Sequence, residues 1–222
     1  MEQIFAPPYL TGFNIDIYEG EITGLIGIDY LGMDMLLGLI QHNLPLYYGR
    51  VFYCGKKVNA SDFASRGQNN AVILDKRSLL IDSLSVSENL FIIRDGHGRN
   101  IINRRALFRQ TQNVLAELHV ESRPDALVSS LSPCDKWILE LAKAWISGAS
   151  LVVIRDISNC LAGTELLKFT DAMKYLAGKK MGFLYICNHH QEVFRFCSRC
   201  FLMKQGRVIK ILEKDQMTDE IM

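Results

Sequence analysis

Apolar and polar positions change period several times along the chain, and each change marks an element. FNIDI (13–17) alternates and predicts a strand. Glu19-Gly20-Glu21 reads as a turn, and ITGLIG (22–27) is a short apolar run suited to a buried central strand. MDMLLGLIQ (33–41) is apolar on all sides and predicts a buried helix. GRVFYCGKKV (49–58) predicts a strand with a turn at Gly55, and AVIL (71–74) another short strand.

The middle of the chain changes character. In SVSENLFII (85–93), Ser85 is followed three residues later by Glu88, a capping box that opens a helix. DGHGRN (95–100) reads as a polar loop, and Leu107, Val114, Leu115 and Leu118 share one helical face at spacings of 7, 8 and 11. Residues 82–130 therefore read as a mainly helical subdomain inserted between two α/β segments, 1–81 and 131–222, of a single domain. The last third alternates again. Ile138, Ala142, Trp145 and Ile146 share a helical face, LVVI (151–154) is a strand, and Leu166, Phe169, Met173 and Leu176 line the next helix. MGFLYIC (181–187) is a strand, residues 191–196 a short helix, and CFLMKQGRVIKIL (200–212) a hairpin turning at Gln205-Gly206. Strands separated by helices imply a mixed, mostly parallel sheet covered on both faces.

Composition narrows the function classes. Lys plus Arg is 25 against 24 for Asp plus Glu, a net charge of +1, which argues against general nucleic-acid binding. An apolar share of 49% excludes a disordered chain. The longest apolar stretch, 24–40, is broken by Asp29, Asp34 and glycines and does not suit a membrane span. The first residues read as neither signal peptide nor anchor. Six scattered cysteines read as reduced, mostly buried thiols. Cys197 and Cys200 form a C-x-x-C with Cys187, His189 and His190 nearby. Without a second C-x-x-C, buried structural thiols are preferred over a zinc or redox site. Arg99, Arg104, Arg105 and Arg109 read as a solvated face, with a membrane-subunit interface as the sharper alternative. Trp137 and Trp145 read as packing residues.

GIDYLGMD (27–34) keeps the two-glycine frame of the phosphate-binding loop G-x-x-x-x-G-K-[ST], between a predicted strand and a predicted helix. Six further segments are similar to landmarks of ABC transporter ATPases. LSPCDKWILELAKAW (131–145) resembles their signature helix, and LVVIRDIS (151–158) resembles the Walker B strand. ICNHHQEVF (186–194) resembles the switch segment, and CSRCFLMKQGRVI (197–209) the closing strand pair. DSLSVSENLF (82–91) and GRVFYCGKKV (49–58) resemble the helical-subdomain and early-strand elements. The resemblance covers nearly the whole chain and leans to the sugar-importer branch. It implies a P-loop NTPase-like ABC ATPase core with an inserted helical subdomain.

The same resemblance implies which residues would carry the chemistry. Nucleotide would rest on the loop positions Gly27, Asp29, Gly32, Met33 and Asp34, through backbone N–H groups and a Lys, with the Ser/Thr on Mg²⁺. Here Met33 replaces that Lys and Asp34 the Ser/Thr. Asp34 and Asp29 place two carboxylates beside a polyanion, each costing on the order of a few kcal/mol. The Walker B metal Asp aligns with Arg155. The catalytic Glu aligns with Asp156, one methylene shorter. The switch His aligns with Asn188, which carries no proton at neutral pH; a shifted register would use His189, but Glu192-Val193-Phe194 favours Asn188. The signature keeps Ser132 and replaces its two glycines by Pro133, which lacks an N–H, and Cys134, whose Cβ obstructs close approach. The D-loop Asp aligns with Ala162, and the linking Gln lies near Asp75 or Lys76.

Asp156 and Asn188 are therefore expected to be inactive. No metal site and no cofactor are expected, and any binding of Mg-ATP through the loop backbone would be weak. The substitutions balance in charge, which leads to an expected Asp34–Arg155 ion pair where the metal would sit; the alternative has each side chain turned to solvent. The implied function is a degenerate, hydrolysis-deficient ATP-binding subunit of a sugar-importer-like ABC transporter. Its expected partners are a paralogous ABC ATPase subunit, in a hetero- or homodimer, and an integral membrane permease subunit. It would be cytoplasmic and peripheral on the inner face of the membrane, with no nucleic-acid partner. Two alternatives stand beside it: a residually active importer ATPase, and a soluble regulatory protein on the same fold.

Overall fold

The computed structural model describes residues 1–6, 8–42, 44, 46, 48–58, 69–92 and 104–218. The loop expected at 95–100, Ile93 and Arg99 lie outside them. In chain order the first elements are β1 (Glu2–Ala6), β2 (Leu10–Phe13), β3 (Ile22–Gly27), α1 (Met33–Gln41), β4 (Tyr48–Arg50), β5 (Phe52–Tyr53), β6 (Lys56–Lys57) and β7 (Ala71–Leu74). There follow α2 (Val86–Phe91), α3 (Arg104–Glu117), α4 (Pro133–Ile146), β8 (Leu151–Arg155), α5 (Gly163–Gly178), β9 (Gly182–Ile186), α6 (His190–Phe196), β10 (Arg199–Lys204) and β11 (Arg207–Glu213).

The main sheet has six strands in the order β11-β10-β3-β9-β8-β7. Every neighbouring pair is parallel except β10 and β11, which form the hairpin expected around Gln205-Gly206. Period-two alternation sorts the strand residues between two cores. Val152, Ile154, Phe183 and Tyr185 join α4, α5 and α6 on one face. Val153, Leu184, Ile186 and Phe201 join α1 on the other. The second face carries one helix and a small antiparallel sheet, β2-β1-β4, so its cover is half helical. Gly24 lets α6 lie directly on β3, since a Cβ there would stand 2.2 Å from Val193 Cγ1.

Two strand expectations shift. The strand placed at 13–17 lies instead at Leu10–Phe13, paired with β1, which the sequence pattern did not signal. Beyond it, Phe13, Ile15 and Ile17 still turn inward while Asn14 and Asp16 face solvent, so the alternation marks burial without a ladder. Residues 49–58 break into three short pieces. β4 pairs with β1, whereas β5 and β6 make their own hairpin through Cys54 and Gly55, both at positive φ.

The capping box at Ser85 and Glu88 forms as expected and starts α2. Beside it, residues 78–82 run as a strap held from two helices. From α4, Glu140 Oε1 accepts from Ser78 Oγ at 2.6 Å and Leu79 N–H at 3.0 Å, while Lys143 Nζ donates to the Leu79 carbonyl at 2.8 Å. From α2, Asn89 accepts from Ile81 N–H at 2.7 Å and donates to the Ile81 carbonyl at 2.9 Å. Burial pushes the Glu140 carboxyl above its ordinary value, against the pull of those hydrogen bonds and of Lys143. A native state that holds a proton more tightly than the unfolded chain loses stability as pH rises through the raised native pKa. Its contribution is complete only below the ordinary carboxylate range. Glu140→Gln removes that titration. The variant is therefore expected to gain stability relative to wild type as pH is raised from acid to neutral. Urea unfolding across that range checks this, and a difference independent of pH would refute it.

Candidate functional site

Parallel order brings the C-terminal ends of β3, β9 and β8 side by side, the edge at which open α/β sheets place ligands. The loop 27–34 leaves β3 there and turns into α1. Gly32 caps α1 at φ 83, and a Cβ there would meet the Tyr9 carbonyl at 2.4 Å, so the loop needs glycine at this point.

The loop is tied on both flanks. Towards β10, Ile28 N–H donates to the Met203 carbonyl at 2.8 Å. The Asp29 carboxylate accepts from Gln205 N–H at 2.9 Å and from Leu31 N–H at 3.1 Å. One loop amide of the kind that cradles a phosphate is thus already bound to an internal anion. Towards β8, Arg155 Nη1 donates to Asp34 Oδ1 at 3.2 Å, and Arg155 Nε lies 3.6 Å from Asp156 Oδ2. Towards β9, Asn188 Nδ2 donates to the Tyr30 hydroxyl. Met33 is 1% exposed and packs in the core below the loop, so it presents nothing to the loop mouth. The structure therefore brings Asp34, Arg155 and Asp156 together, and separately Asn188 and Tyr30. Sequence reasoning passed over Tyr30 and Gln205. A bulky tyrosine inside a loop that must hug phosphates was the available signal for the first; the second acts through its backbone and has none.

The electrostatics of this edge are those of a surface network. The Asp34 side chain is 91% exposed and that of Arg155 27%, so the pair contributes at most about 1 kcal/mol to stability. Asp156 sits at φ 52, a left-handed conformation at the strand end, where its N–H donates to the Ile186 carbonyl at 3.0 Å.

The signature residues lie on α4 and bond there and to α5. Ser132 caps α4 by accepting from Asp135 N–H at 3.1 Å, and its hydroxyl donates to Asp135 Oδ2 at 2.8 Å. Pro133 is the first, exposed residue of the helix. The Cys134 side chain is buried and Sγ donates to the Glu165 carbonyl at 3.3 Å, so its sulfur points into the molecule, while Ser132 and Pro133 are exposed. Ala162 precedes α5 without a side-chain cap, and Asp75 bonds Arg77 N–H at 2.7 Å.

Behind Asn188 a buried network sets the switch segment. Tyr185 Oη donates to Glu192 Oε2 at 3.0 Å, and Cys187 Sγ donates to the same oxygen at 3.4 Å. Burial pushes the Cys187 thiol up to about 11 and the Cys200 thiol to about 12, and raises Cys197 well above its ordinary value. These thiols stay protonated at neutral pH and behave as packing groups. Among the described residues, no group of three or more His, Cys, Asp or Glu comes together as metal ligands. Arg104, Arg105 and Arg109 lie on the exposed face of α3, and Trp137 packs edge-on against Phe169.

A strand, a glycine-bounded loop and a helix at the C-terminal edge of a mostly parallel sheet define an α/β P-loop core, and the comparisons extend this. The family model described as ABC transporter matches residues 10–156, and the chain belongs to that family. The ribose import ATP-binding protein RbsA of Clostridium perfringens is 24% identical over 94% of this chain and 43% of its own length. The arabinose import ATP-binding protein AraG 1 of Burkholderia cenocepacia is 25% identical over 95% of this chain and 41% of its own length. The chain thus spans about two fifths of these relatives. Among solved structures, cbiO1 of Clostridium perfringens, part of the ABC transporter complex cbiONQ, superposes with a TM-score of 0.78 at 18% identity, over 96% of this chain and 87% of the other. A nucleotide-free ATP-binding cassette from an ABC transporter superposes at 0.74 with 19% identity, over 98% and 94%. These two share the fold. No helix among the described residues is long and apolar enough to cross a membrane.

Proposed function

We propose that this chain is an ATP-binding domain of a sugar-importer-type ABC transporter that does not hydrolyse ATP and serves as structural or regulatory partner to an active ATPase subunit. One observation carries the reading. Asp34 and Asp156, the carboxylates available to a metal here, both lie against the Arg155 guanidinium. Mg²⁺ takes oxygen ligands in strict octahedral geometry, and a fixed cation among them opposes its binding. The residues present do not fit Mg²⁺. Met33, buried, supplies no charge to a phosphate, and Asn188 no basic nitrogen. In this reading residues 1–81 and 131–222 form the core and 82–130 a helical subdomain. The groove between them meets a permease subunit on the cytoplasmic side of a membrane, and a paralogous ATPase or a second copy completes the pair.

The relatives favour a second reading, a working importer ATPase, because RbsA and AraG are named as import ATP-binding proteins. Turnover of Mg-ATP decides. The purified chain, alone and with a candidate partner subunit, is expected to release phosphate no faster than its Asp156→Ala variant. Turnover above background that Asp156→Ala abolishes would establish the second reading.

A further inference from the structure

The loop 27–34 is tied to three neighbouring strand ends of the sheet: to β10 by Ile28 and Asp29, to β8 by Asp34, and to β9 by Tyr30. These ties differ in kind. Ile28 is held by its backbone, Asp29 by backbone amides, and Asp34 by an ion pair. Tyr30 alone of the four is held by a side-chain hydroxyl, and it is 57% exposed, with its ring outside both cores. Its hydroxyl is met by the exposed Asn188, which lies 158 residues away in sequence, just past the end of β9. The ring is thus tied at both ends, by its own backbone in the loop and by Asn188 just past the end of β9.

We infer that Tyr30 is a latch that bars a nucleotide's phosphate chain from the loop, with Asn188 as its catch. The inference rests on the non-hydrolysing reading of this site and adds a separable element to it. Asp34 and Arg155 govern the metal and the charge, whereas Tyr30 governs access. Phosphate would sit on the amides at the start of α1. Opening the latch frees that approach without touching the ion pair, the core or the Asp29 staple. The Tyr30 hydroxyl, not only its bulk, is what holds the ring across.

The test is equilibrium binding of ADP without added metal to the full chain, compared among wild type, Tyr30→Phe, Asn188→Ala, the double variant and Tyr30→Gly. One net hydrogen bond is worth about fivefold in an equilibrium constant. Tyr30→Phe and Asn188→Ala are each expected to tighten binding about fivefold, the double variant by no more than either, and Tyr30→Gly by at least as much. Both residues are exposed, and loss of one hydrogen bond should lower thermal midpoints by no more than about 2–4 °C, so cooperative unfolding within that margin of wild type confirms the fold. Affinities within twofold across the set, additive effects in the double variant, or no detectable binding by any of them would overturn the latch. Hydrolysis by wild type is read separately. Background turnover with unchanged affinities removes the latch and leaves the non-hydrolysing reading. Tightened binding alongside wild-type turnover keeps the latch and removes that reading.

Discussion

Phe169→Ala is expected to lower the unfolding free energy by about 3–5 kcal/mol. Phe169 is fully buried on the inner face of α5, and its ring meets Trp137 of α4 edge-on at a centroid distance of 6.3 Å. The substitution leaves a void between two helices that both pack on the rigid parallel sheet, and neither can settle inward to fill it. The loss of edge-to-face contact with Trp137 adds to the cavity cost. Urea unfolding at neutral pH measures the change. A loss below about 1 kcal/mol would mean that α4 and α5 close up on the sheet, and that the two-helix layer is softer than its packing suggests.

Asn89→Leu is expected to cost about 1–3 kcal/mol, and to do so locally. Asn89 is fully buried, and its amide answers both the N–H and the carbonyl of Ile81 and also donates to the Ser85 carbonyl at 3.1 Å. Leucine fills the volume but leaves the Ile81 N–H without a partner in a desolvated place, while the Ile81 and Ser85 carbonyls keep the Leu84 and residue-89 N–H groups. The strap 78–82 would then hang on Glu140, Lys143, the Asp82–Lys136 ion pair and the backbone bonds from Leu84 and Ser129 to the Ile81 and Asp82 carbonyls. Hydrogen exchange separates this from a general loss. The amide of Ile81 should exchange faster by more than the global destabilisation accounts for, while the amides of β3 follow the global value. Equal acceleration everywhere would show that Asn89 acts only on overall stability.

What could be read from the chain follows a physical division. β3 and α1 occupy the residues expected of them, because five consecutive buried residues and a nine-residue, mostly apolar helix carry their periods locally. The Ser85–Glu88 box was readable for the same reason: its two hydrogen bonds close within four residues. β1 and the true position of β2 were not. β1 also pairs with β4, some forty positions on, and a four-residue strand such as β2 has too little pattern to show its register. The Asp34–Arg155 contact spans 121 positions and was anticipated only through family resemblance and charge balance. The inward turn of Cys134 escaped both, since α5 packing sets its rotamer.

By itself the sequence determined the family, the helices and the strands of the main sheet, and the identity of every residue at that sheet's C-terminal edge. Each of these is written in nearest-neighbour periodicity or in motifs a few residues long. Only the tertiary structure decided that Asp29 turns to the β10–β11 hairpin, that Met33 sinks into the core, and that Tyr30 meets Asn188. Those outcomes depend on which strand ends lie side by side, and adjacency in a parallel sheet is set by crossovers that local pattern does not encode.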